Sequence, residues 1–493
     1  MAEVVAGAPA AEGARSIAPG EGGAWGKTGF AWAWFEAARN PYYILIVIYV
    51  FAPYFARDIV GADILASGKL DGLSPEEARR AAGAEGQAMV ANLSKTAGYI
   101  AALTAPFLGA AFDRGLRRKP FLLLCLSLIS LVGISLWWAI PGPEGLSTGT
   151  VMALLIAAYV CYSYSEVSHN SMLPDAARPE ALPAVSGLGL ALGNAAATVM
   201  FVGIVFMFAL PEAIGWPTKE PMFGIDTSRY EQFRIAGPIC GVWLLASMWY
   251  FFVHGRDTGI KGTSPVTAIT DGAKGVIRTI RRAAHHREAF KFLIARTIYA
   301  DGMFALLTIG AVYVSLFLGW GLIELTIYAI WASAWAVVGG IFGGWLDQRM
   351  GPKNALILEL AAIVLILFFG LSITRDSAFY GLMPNIKIND WPFFSGTSDL
   401  LYLGQGALIA VFATANISSS RSMLIHVAPA HMRGEFFGLF AIAGTVTVWL
   451  GPMLIESFTR WSGDQRVGMS AIALLFFLGL AVLLTVRNER PAA

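Results

Sequence analysis

Two segments of this sequence carry charged and polar residues at the spacing of one helical face. Glu36, Arg39 and Asn40 stand at positions i, i+3 and i+4, so they share one side of a helix. The same spacing recurs later in the chain, in Glu166, His169 and Asn170. Arg binds carboxylate or phosphate groups bidentately, and His titrates near neutral pH. These faces therefore suit anion binding and proton transfer.

Two later apolar segments add further charges, Arg296 with Asp301 and then Arg421. Ionisable groups inside a membrane are costly, and by default they indicate function. We expect Arg39 and Arg421 to hold an anionic group and Asn170 to orient it. The complete predicted substrate-binding set is Arg39, Asn40, Tyr43, Asn170, Arg296, Trp331 and Arg421.

A coupling proton is assigned to Asp301 or Glu36, with Glu166 and His169 assisting. A structural alternative stays open for the first segment. In that alternative Glu36 only pairs with Arg39 along one helix, and charges near helix ends extend to the membrane interface.

Three further residues have two interpretations each. Trp331 and Trp335 stand at i and i+4, where they can floor an apolar pocket, although helix packing is the commoner use of such a pair. Lys95 lies inside or at the edge of an apolar segment, and the sequence leaves open whether it has a function.

A charged loop, D-R-G-L-R-R-K, holds the predicted gating residues Asp113, Arg114 and Arg117. A carboxylate beside Arg side chains at helix ends can latch two helices and release them when the bundle rocks. A similar loop follows later in the chain and contains Asp347, the fourth predicted gating residue. The alternative is that these residues only supply positive charge on the cytoplasmic side.

Composition identifies the elements that carry these residues. Of the 493 residues, 56% are hydrophobic and only 14% are charged, and the mean hydropathy is +0.61. Recurrent apolar segments of roughly 20 residues predict membrane-spanning helices, because lipid leaves backbone polar groups no other partner. Barrel strands are excluded, since these segments do not alternate in polarity.

The fold class predicted is therefore all-α, with twelve transmembrane helices in two pseudo-symmetric halves of six. The domains are a disordered tail 1–29, a bundle 30–254, a linker 255–288, a bundle 289–487 and a tail 488–493. A polar loop is expected at 57–87. The predicted spans are 30–56, 88–112, 119–140, 149–170, 184–210, 233–254, 289–318, 322–346, 353–373, 400–424, 434–456 and 467–487.

Lys and Arg are concentrated in alternate loops, which predicts both termini in the cytoplasm. Cys125, Cys161 and Cys240 all lie in apolar segments and have no metal-binding spacing. The sequence lacks a P-loop, a GxSxG motif and an HExxH motif, so an enzyme, a cofactor and an ATP-driven pump are disfavoured. No nucleic-acid-binding pattern is present.

The sequence repeats itself. Residues 109–119 match 343–353 at an offset of 234, with Asp113 on Asp347. A second match, at an offset of 251, aligns Ser171 with Ser422 and Gly187 with Gly438. Two matches in the same order indicate two parallel halves with a site between them, an architecture of secondary transporters.

These residues resemble the major facilitator superfamily and, more narrowly, its autophagy-related vacuole-effluxer branch. The resemblance extends from about residue 30 to 487 and is carried by short motifs. They are W-A-W-F-E-A-A-R-N-P-Y-Y at 32–43, N-S-M-L-P-D-A at 170–176, S-G-L-G-L-A-L-G at 186–193, Y-A-D-G at 299–302, S-S-S-R-S at 418–422 and G-E-F-F-G-L-F…W-L-G-P at 434–452. The resemblance implies transport by alternating access, and its fungal branch implies an amino acid.

The predicted function is proton-coupled transport of a small polar solute, an amino acid or related zwitterion or anion. Its predicted partners are the solute, protons and the lipid bilayer, and the predicted state is a monomer in the bacterial inner membrane. Two alternatives remain: an exporter of amphipathic compounds, and a transport-inactive sensor that uses the basic linker 255–288.

Overall fold

The structure is a computed structural model. It describes residues 26–113, 116–170, 172–178, 181–257, 280–429, 436, 439–440, 443–444 and 447–487. Residues 1–25 and 488–493 of the predicted tails and most of the predicted linker lie outside these residues, whereas 27–29 already belong to the first helix.

Six membrane helices form the first half. Their bounds are close to the predicted spans, except that α1 and α2 are much longer. In chain order they are α1 (Lys27–Ala66), α2 (Pro75–Asp113), α3 (Arg118–Trp138), α4 (Thr148–Asn170), α5 (Leu182–Ile204, continued through Val205–Ala209 and Leu210–Ile214) and α6 (Glu231–His254).

Six more form the second half. The helical segment Leu322–Leu371 counts as two, because Gly351 has φ 77° and ψ 156°, a conformation that favours glycine, and Pro352 then begins a new helix. The set is α7 (Arg287–Phe317), α8 and α9 (the two parts of Leu322–Leu371), α10 (Thr397–Val427), α11 (ending as Leu450–Ser462) and α12 (Gln465–Leu484). The all-α prediction is confirmed, and the described helices are consistent with twelve spans.

The predicted loop at 57–87 is wrong at both ends. Helix α1 continues to Ala66, and its charged pair Arg57 and Asp58 is satisfied internally at 2.8 Å. Helix α2 already begins at Pro75 because Ser74 and Glu77 form a capping box, with N···O distances of 2.9 and 3.3 Å. Only a short turn remains between the two helices.

Helix α1 is not a regular α-helix throughout. It contains two π-helical segments, Tyr43–Tyr49 and Phe55–Val60. Pro41 precedes the first and Pro53 the second, and a proline inside a helix removes a backbone donor and displaces the preceding turn. Such irregular turns are frequent at functional sites.

Each half has its own apolar core. One core is drawn mainly from α1 and α3–α6, and the other mainly from α7, α9, α10 and α12. Between α9 and α10 the chain forms a small antiparallel ladder, β1 (Ser377–Ala378) with β2 (Met383–Pro384). Short 3₁₀ turns, Met222–Gly224 and Thr227–Arg229, precede α6.

The helices alternate between two membrane faces. We call the face at the end of α6 and the start of α7 the linker face. There Lys119 donates to the carbonyl of Phe252 at 2.9 Å, and the Arg487 amide donates to Glu288 at 2.5 Å. The ends of α3, α6, α7 and α12 therefore meet at this face, and the other is called the opposite face.

Candidate functional site

A cavity of about 770 Å³ lies between the two halves. It is lined by α1, α4 and α5 from the first half and by α7, α10 and α11 from the second. Most of the lining belongs to the linker-face part of these helices. The lining residues are Trp32, Glu36, Arg39, Asn40, Tyr43, Tyr159, Tyr162, Glu166, Asn170, Gly189, Gly193, Asn194, Phe304, Arg421, Gly444 and Val448.

Glu36 and Arg39 form an ion pair at the wall of this cavity. Nη2 of Arg39 lies 3.1 and 3.0 Å from the two oxygens of Glu36. The same guanidinium donates to Oγ of Ser165 at 3.3 Å and lies over the ring of Tyr162 at 4.3 Å. Glu36 therefore already neutralises the charge of Arg39, as in the alternative in which the two residues only pair along one helix. Both residues also line the cavity.

His169 lies behind Glu36 and does not line the cavity. Its ring is fully buried between Trp32 and Phe35, with centroids 4.2 and 4.1 Å away. Its Nδ1 is 3.1 Å from Oε1 of Glu36, and its Nε2 is 2.9 Å from the carbonyl of Trp32. The predicted proton-coupling residue His169 therefore contacts Glu36 but, unlike Glu166 and Asn170, does not line the cavity.

Two cavity charges form no hydrogen bond or ion pair in the part of the chain that the structure describes, although Arg39 lies within electrostatic range of one of them, Glu166. Glu166 on α4 and Arg421 on α10 are both exposed to the cavity, and neither forms a hydrogen bond or ion pair there. Asn170 is exposed beside them, and Asn40 donates to Asn194 at 3.2 Å. One free carboxylate and one free guanidinium thus belong to different halves.

Aromatic rings form the deeper wall. Tyr43 stacks on Tyr162, with centroids 5.0 Å apart. Tyr159 meets Phe304 of the second half edge-on at 6.4 Å. The cavity therefore has a polar rim and an aromatic interior, which suits a small solute with charged groups and an apolar part.

Besides His169, three residues of the predicted substrate-binding and proton-coupling sets do not line this cavity. Asp301 is 3% exposed and accepts a hydrogen bond from the Gly451 amide at 2.7 Å. Arg296 lies over the rings of Tyr299 and Phe440, at 5.6 and 4.7 Å. Its Nε and Nη1 are buried without a hydrogen-bond partner.

Trp331 is the third, and its position fits helix packing. Its side chain is 41% exposed, and its indole nitrogen donates to the Leu403 carbonyl on α10 at 3.0 Å. It meets Trp335 edge-on at 5.6 Å. The predicted pocket floor is not found at this position.

The predicted gating loop is only partly described. Arg114 and the side chain of Asp113 lie outside the described residues. Nε of Arg117 is 3.9 Å from Asp257, whose carboxylate also accepts from the backbone amides of Arg118 and Lys119 at 3.2 and 3.0 Å. Asp257 therefore caps α3 and connects it to the start of the linker, a role that the sequence interpretation missed.

Asp347 and Glu359 lie in the second half. Oδ1 of Asp347 is buried without a hydrogen-bond partner. Glu359, on α9, is fully buried and accepts from Ser419 of α10 at 2.9 Å. Glu359 was not selected from the sequence, although a carboxylate inside a predicted span was the available signal.

The largest omission is a polar contact between α2 and α11 near the opposite face. Lys95 pairs with Glu456 at 2.5 Å, and Arg460 pairs with Glu85 at 2.6 Å. Three further hydrogen bonds support it: Asn92 to Glu456 at 2.7 Å, Gln87 to Thr459 at 3.1 Å, and Gln87 to the Gln465 carbonyl at 3.2 Å. We call this set the α2–α11 contact. It gives Lys95 a partner in the other half.

Within the described residues, no group of three His, Cys, Asp or Glu side chains is arranged to hold a metal ion.

Comparison with known proteins agrees with this architecture. An uncharacterized MFS-type transporter of Bacillus subtilis (strain 168), YxiO, is 23% identical over 391 residues, which are 79% of this chain and 82% of the relative. Among solved structures, a D-xylose-proton symporter matches with a TM-score of 0.59 and 9% identity, covering 94% of this chain and 99% of the symporter.

A bacterial homolog of the human lysosomal transporter Spinster, in an inward-facing and occupied conformation, matches with a TM-score of 0.56 and 12% identity. The match covers 93% of this chain and 96% of the homolog. These proteins are named as transporters and not as enzymes, and at such identities the solved structures bear on the fold alone.

The family model described as "Vacuole effluxer Atg22 like" matches residues 182–493, which is more than half of the chain. The family suggested by the short motifs is thus confirmed. The chain belongs to the Atg22-like vacuole effluxer family of major facilitator transporters.

Proposed function

We propose that this protein is a secondary transporter that moves a small zwitterionic solute, an amino acid or a close relative, by alternating access. One observation carries the proposal: the described cavity has an unpaired carboxylate, Glu166, on one half and an unpaired guanidinium, Arg421, on the other. Charges without partners in a membrane protein are costly unless a ligand completes them.

A zwitterion fits both groups. Its carboxylate pairs with Arg421 and its ammonium group with Glu166, while Asn170 lies beside them to orient the solute. Hydrogen bonds to charged groups contribute about 1.5–3 kcal/mol each. Because each contact belongs to a different half, binding pulls the halves together, which is how a solute can drive closure of the cavity.

The linker face is assigned to the cytoplasm, because Lys and Arg are concentrated in its loops. Both termini are then cytoplasmic, in the plasma (inner) membrane of a bacterium. The α2–α11 contact closes the opposite face, so this conformation presents the cavity to the cytoplasm. Proton coupling is assigned to Glu36, a span carboxylate that lines the cavity and contacts His169, and not to Asp301, which does not line it.

The aromatic wall of Tyr43, Tyr159, Tyr162 and Phe304 favours a second candidate, export of an amphipathic compound. An amphipathic compound without a carboxylate has no anionic group to pair with the guanidinium of Arg421. The two candidates therefore differ in what the loss of this guanidinium does.

The test is uptake into proteoliposomes under an imposed proton gradient, from a pooled panel of amino acids, dipeptides, nucleosides and organic anions read by mass spectrometry. Wild type is compared with Arg421→Gln, and with Arg229→Gln as a matched control whose guanidinium pairs with Glu144 away from the cavity. We expect one zwitterionic compound to accumulate in wild type and control but not in Arg421→Gln. Accumulation of none, by folded protein that instead extrudes a lipophilic dye, would replace this proposal with the amphipathic exporter.

A further inference from the structure

The ring of His169 can be assigned a tautomer from its contacts. Nε2 lies 2.9 Å from the carbonyl oxygen of Trp32. A carbonyl only accepts hydrogen bonds, so Nε2 carries a hydrogen. Rotating the ring by half a turn would put carbon atoms at both polar contacts, so this orientation is the one its surroundings support.

The other ring nitrogen then faces a carboxylate. Nδ1 lies 3.1 Å from Oε1 of Glu36, in a place that water does not reach, since His169 is fully buried. In the neutral Nε2–H tautomer Nδ1 holds a lone pair, and a lone pair against a carboxylate oxygen is repulsive. One proton between these two atoms turns the repulsion into a hydrogen bond.

The groups packed around this contact do not place another hydrogen between Oε1 of Glu36 and Nδ1 of His169. From α1, Arg39 donates to both oxygens of Glu36 at 3.1 and 3.0 Å. From α4 itself, Glu166 is three residues away and faces the cavity. From α6 the ring of Phe251 contacts His169 at 5.9 Å and brings no charge.

We propose that Glu36 and His169 together hold the coupling proton, as a single exchangeable hydrogen between Oε1 and Nδ1. This proposal rests on the proposed transport function and identifies the binding site of the coupling proton. When the proton leaves, Glu36 keeps its bonds to Arg39, and the contact with His169 on α4 is the one that breaks.

Tight packing carries that change to the cavity wall. A Cβ atom at Gly189 would lie 3.0 Å from Cζ3 of Trp32, and one at Gly193 would lie 3.2 Å from Cβ of Glu36. Helix α5 therefore packs directly against Trp32 and Glu36, with no space for a larger side chain at Gly189 or Gly193. Glu36 therefore contacts His169 on one side and lines the solute cavity on the other.

Asp301 has a different role in this account. Its Oδ2 accepts from the amide of Gly451 at 2.7 Å, in the first turn of Leu450–Ser462. A carboxylate at a helix N-terminus is stabilised by the free amides there. The chain turns at 447–449 just before this segment. The hydrogen bond to Gly451 therefore lets Asp301 position Leu450–Ser462, the described end of α11.

The first test separates proton coupling from transport. Wild type, His169→Gln and Glu36→Gln are compared in proteoliposomes for gradient-driven accumulation and for solute counterflow without a gradient. We expect both variants to lose accumulation completely. His169→Gln, whose side chain does not line the cavity, should keep counterflow, and His254→Gln, a histidine away from this pair, should behave as wild type. Accumulation that survives in His169→Gln would overturn the proposal.

The second test does not need transport. Nitrogen-15 spectra of histidine-labelled full-length protein report whether both ring nitrogens of His169 bear hydrogen. We expect a doubly protonated ring, or one hydrogen-bonded to a protonated Glu36, in wild type, and a singly protonated ring in Glu36→Gln. A singly protonated ring beside an ionised Glu36 in wild type would overturn the proton site.

The two tests also separate this proposal from the proposed function. If no solute moves in the proteoliposome experiment, the proposed function is overturned, whatever the spectra show.

Discussion

The two ends of the interface between the halves treat charge in opposite ways. At the α2–α11 contact Lys95, Glu456 and Arg460 are all paired, at 2.5 to 3.3 Å. At the cavity, in the described chain, Glu166 and Arg421 have no partner. In the proposed mechanism the paired charges hold one end shut, and the cavity charges at the other end bind the solute.

This difference suggests how the two ends are connected. The side chains of Lys95 and Glu456 are 21% and 10% exposed, so their pair is partly desolvated. A partly exposed pair contributes about 1 kcal/mol. In the proposed mechanism a solute that bridges Glu166 and Arg421 offers contacts that offset the loss of this pair, so the protein can exchange one set of pairs for the other.

The largest expected effect comes from Arg421→Gln, which removes the group that binds the solute carboxylate and leaves only Glu166 to bind the ammonium group. We expect the Kd for the zwitterionic solute to rise roughly 10- to 100-fold, since a charged hydrogen bond contributes about 1.5–3 kcal/mol. Binding to purified protein by calorimetry measures it. An unchanged Kd, in a variant that unfolds at the wild-type temperature, would show that the guanidinium does not contact the solute.

Glu166→Gln should weaken binding less, about tenfold, because the amide still accepts one hydrogen bond from an ammonium group. The effect should be confined to solutes that carry an amine. Competition between the solute and its des-amino analogue measures this selectivity. Equal losses for both analogues would mean that the variant has deformed the cavity.

The α2–α11 contact should be weakened by Lys95→Gln, which leaves the carboxylate of Glu456 with Asn92 and Arg460. We expect several-fold more of the form that is open at the opposite face, about 1 kcal/mol, as for partly exposed pairs. Spin labels at Arg79 and Trp461, both exposed, give the distance distribution.

The matched control for that experiment is Lys69→Gln, which removes a charge from the loop near the same face. It should leave the distance distribution as in wild type. If Lys95→Gln also leaves it unchanged, the contact does not hold this face closed.

The smallest effect is expected at Trp331, where phenylalanine keeps an aromatic ring and loses the hydrogen bond to Leu403. Transport should change by less than about twofold, because surface substitutions away from functional sites have small effects. A larger loss in a stable variant would return Trp331 to the substrate site.

Local spacing explains what the sequence could predict of the site. Glu36, Arg39 and Asn40 do reach one cavity with Glu166 and Asn170, because residues three and four apart must share a helical face. The capping box at Ser74 and Glu77 was equally readable, and it would have corrected the loop at 57–87.

What the sequence could not supply was the partner of each charge. Lys95 and Glu456 are 361 positions apart, and no periodicity relates them. Helices that are apolar all round give no signal for which side turns inward, so Trp331 and Asp301 were placed at the cavity although neither lines it. Arg39 was expected to hold an anionic group, with pairing to Glu36 as the alternative, and the structure shows that pairing.

The most direct test of the account compares three forms of the transported solute: the zwitterion, its des-amino anion and its decarboxylated cation. Their binding is measured in wild type, Glu166→Gln and Arg421→Gln. We predict a crossed pattern, in which Glu166→Gln loses affinity for the zwitterion and cation but keeps the anion. Arg421→Gln should lose the zwitterion and anion but keep the cation. If both variants weaken all three forms equally, the two free charges do not hold the two ends of one solute, and the central claim is wrong.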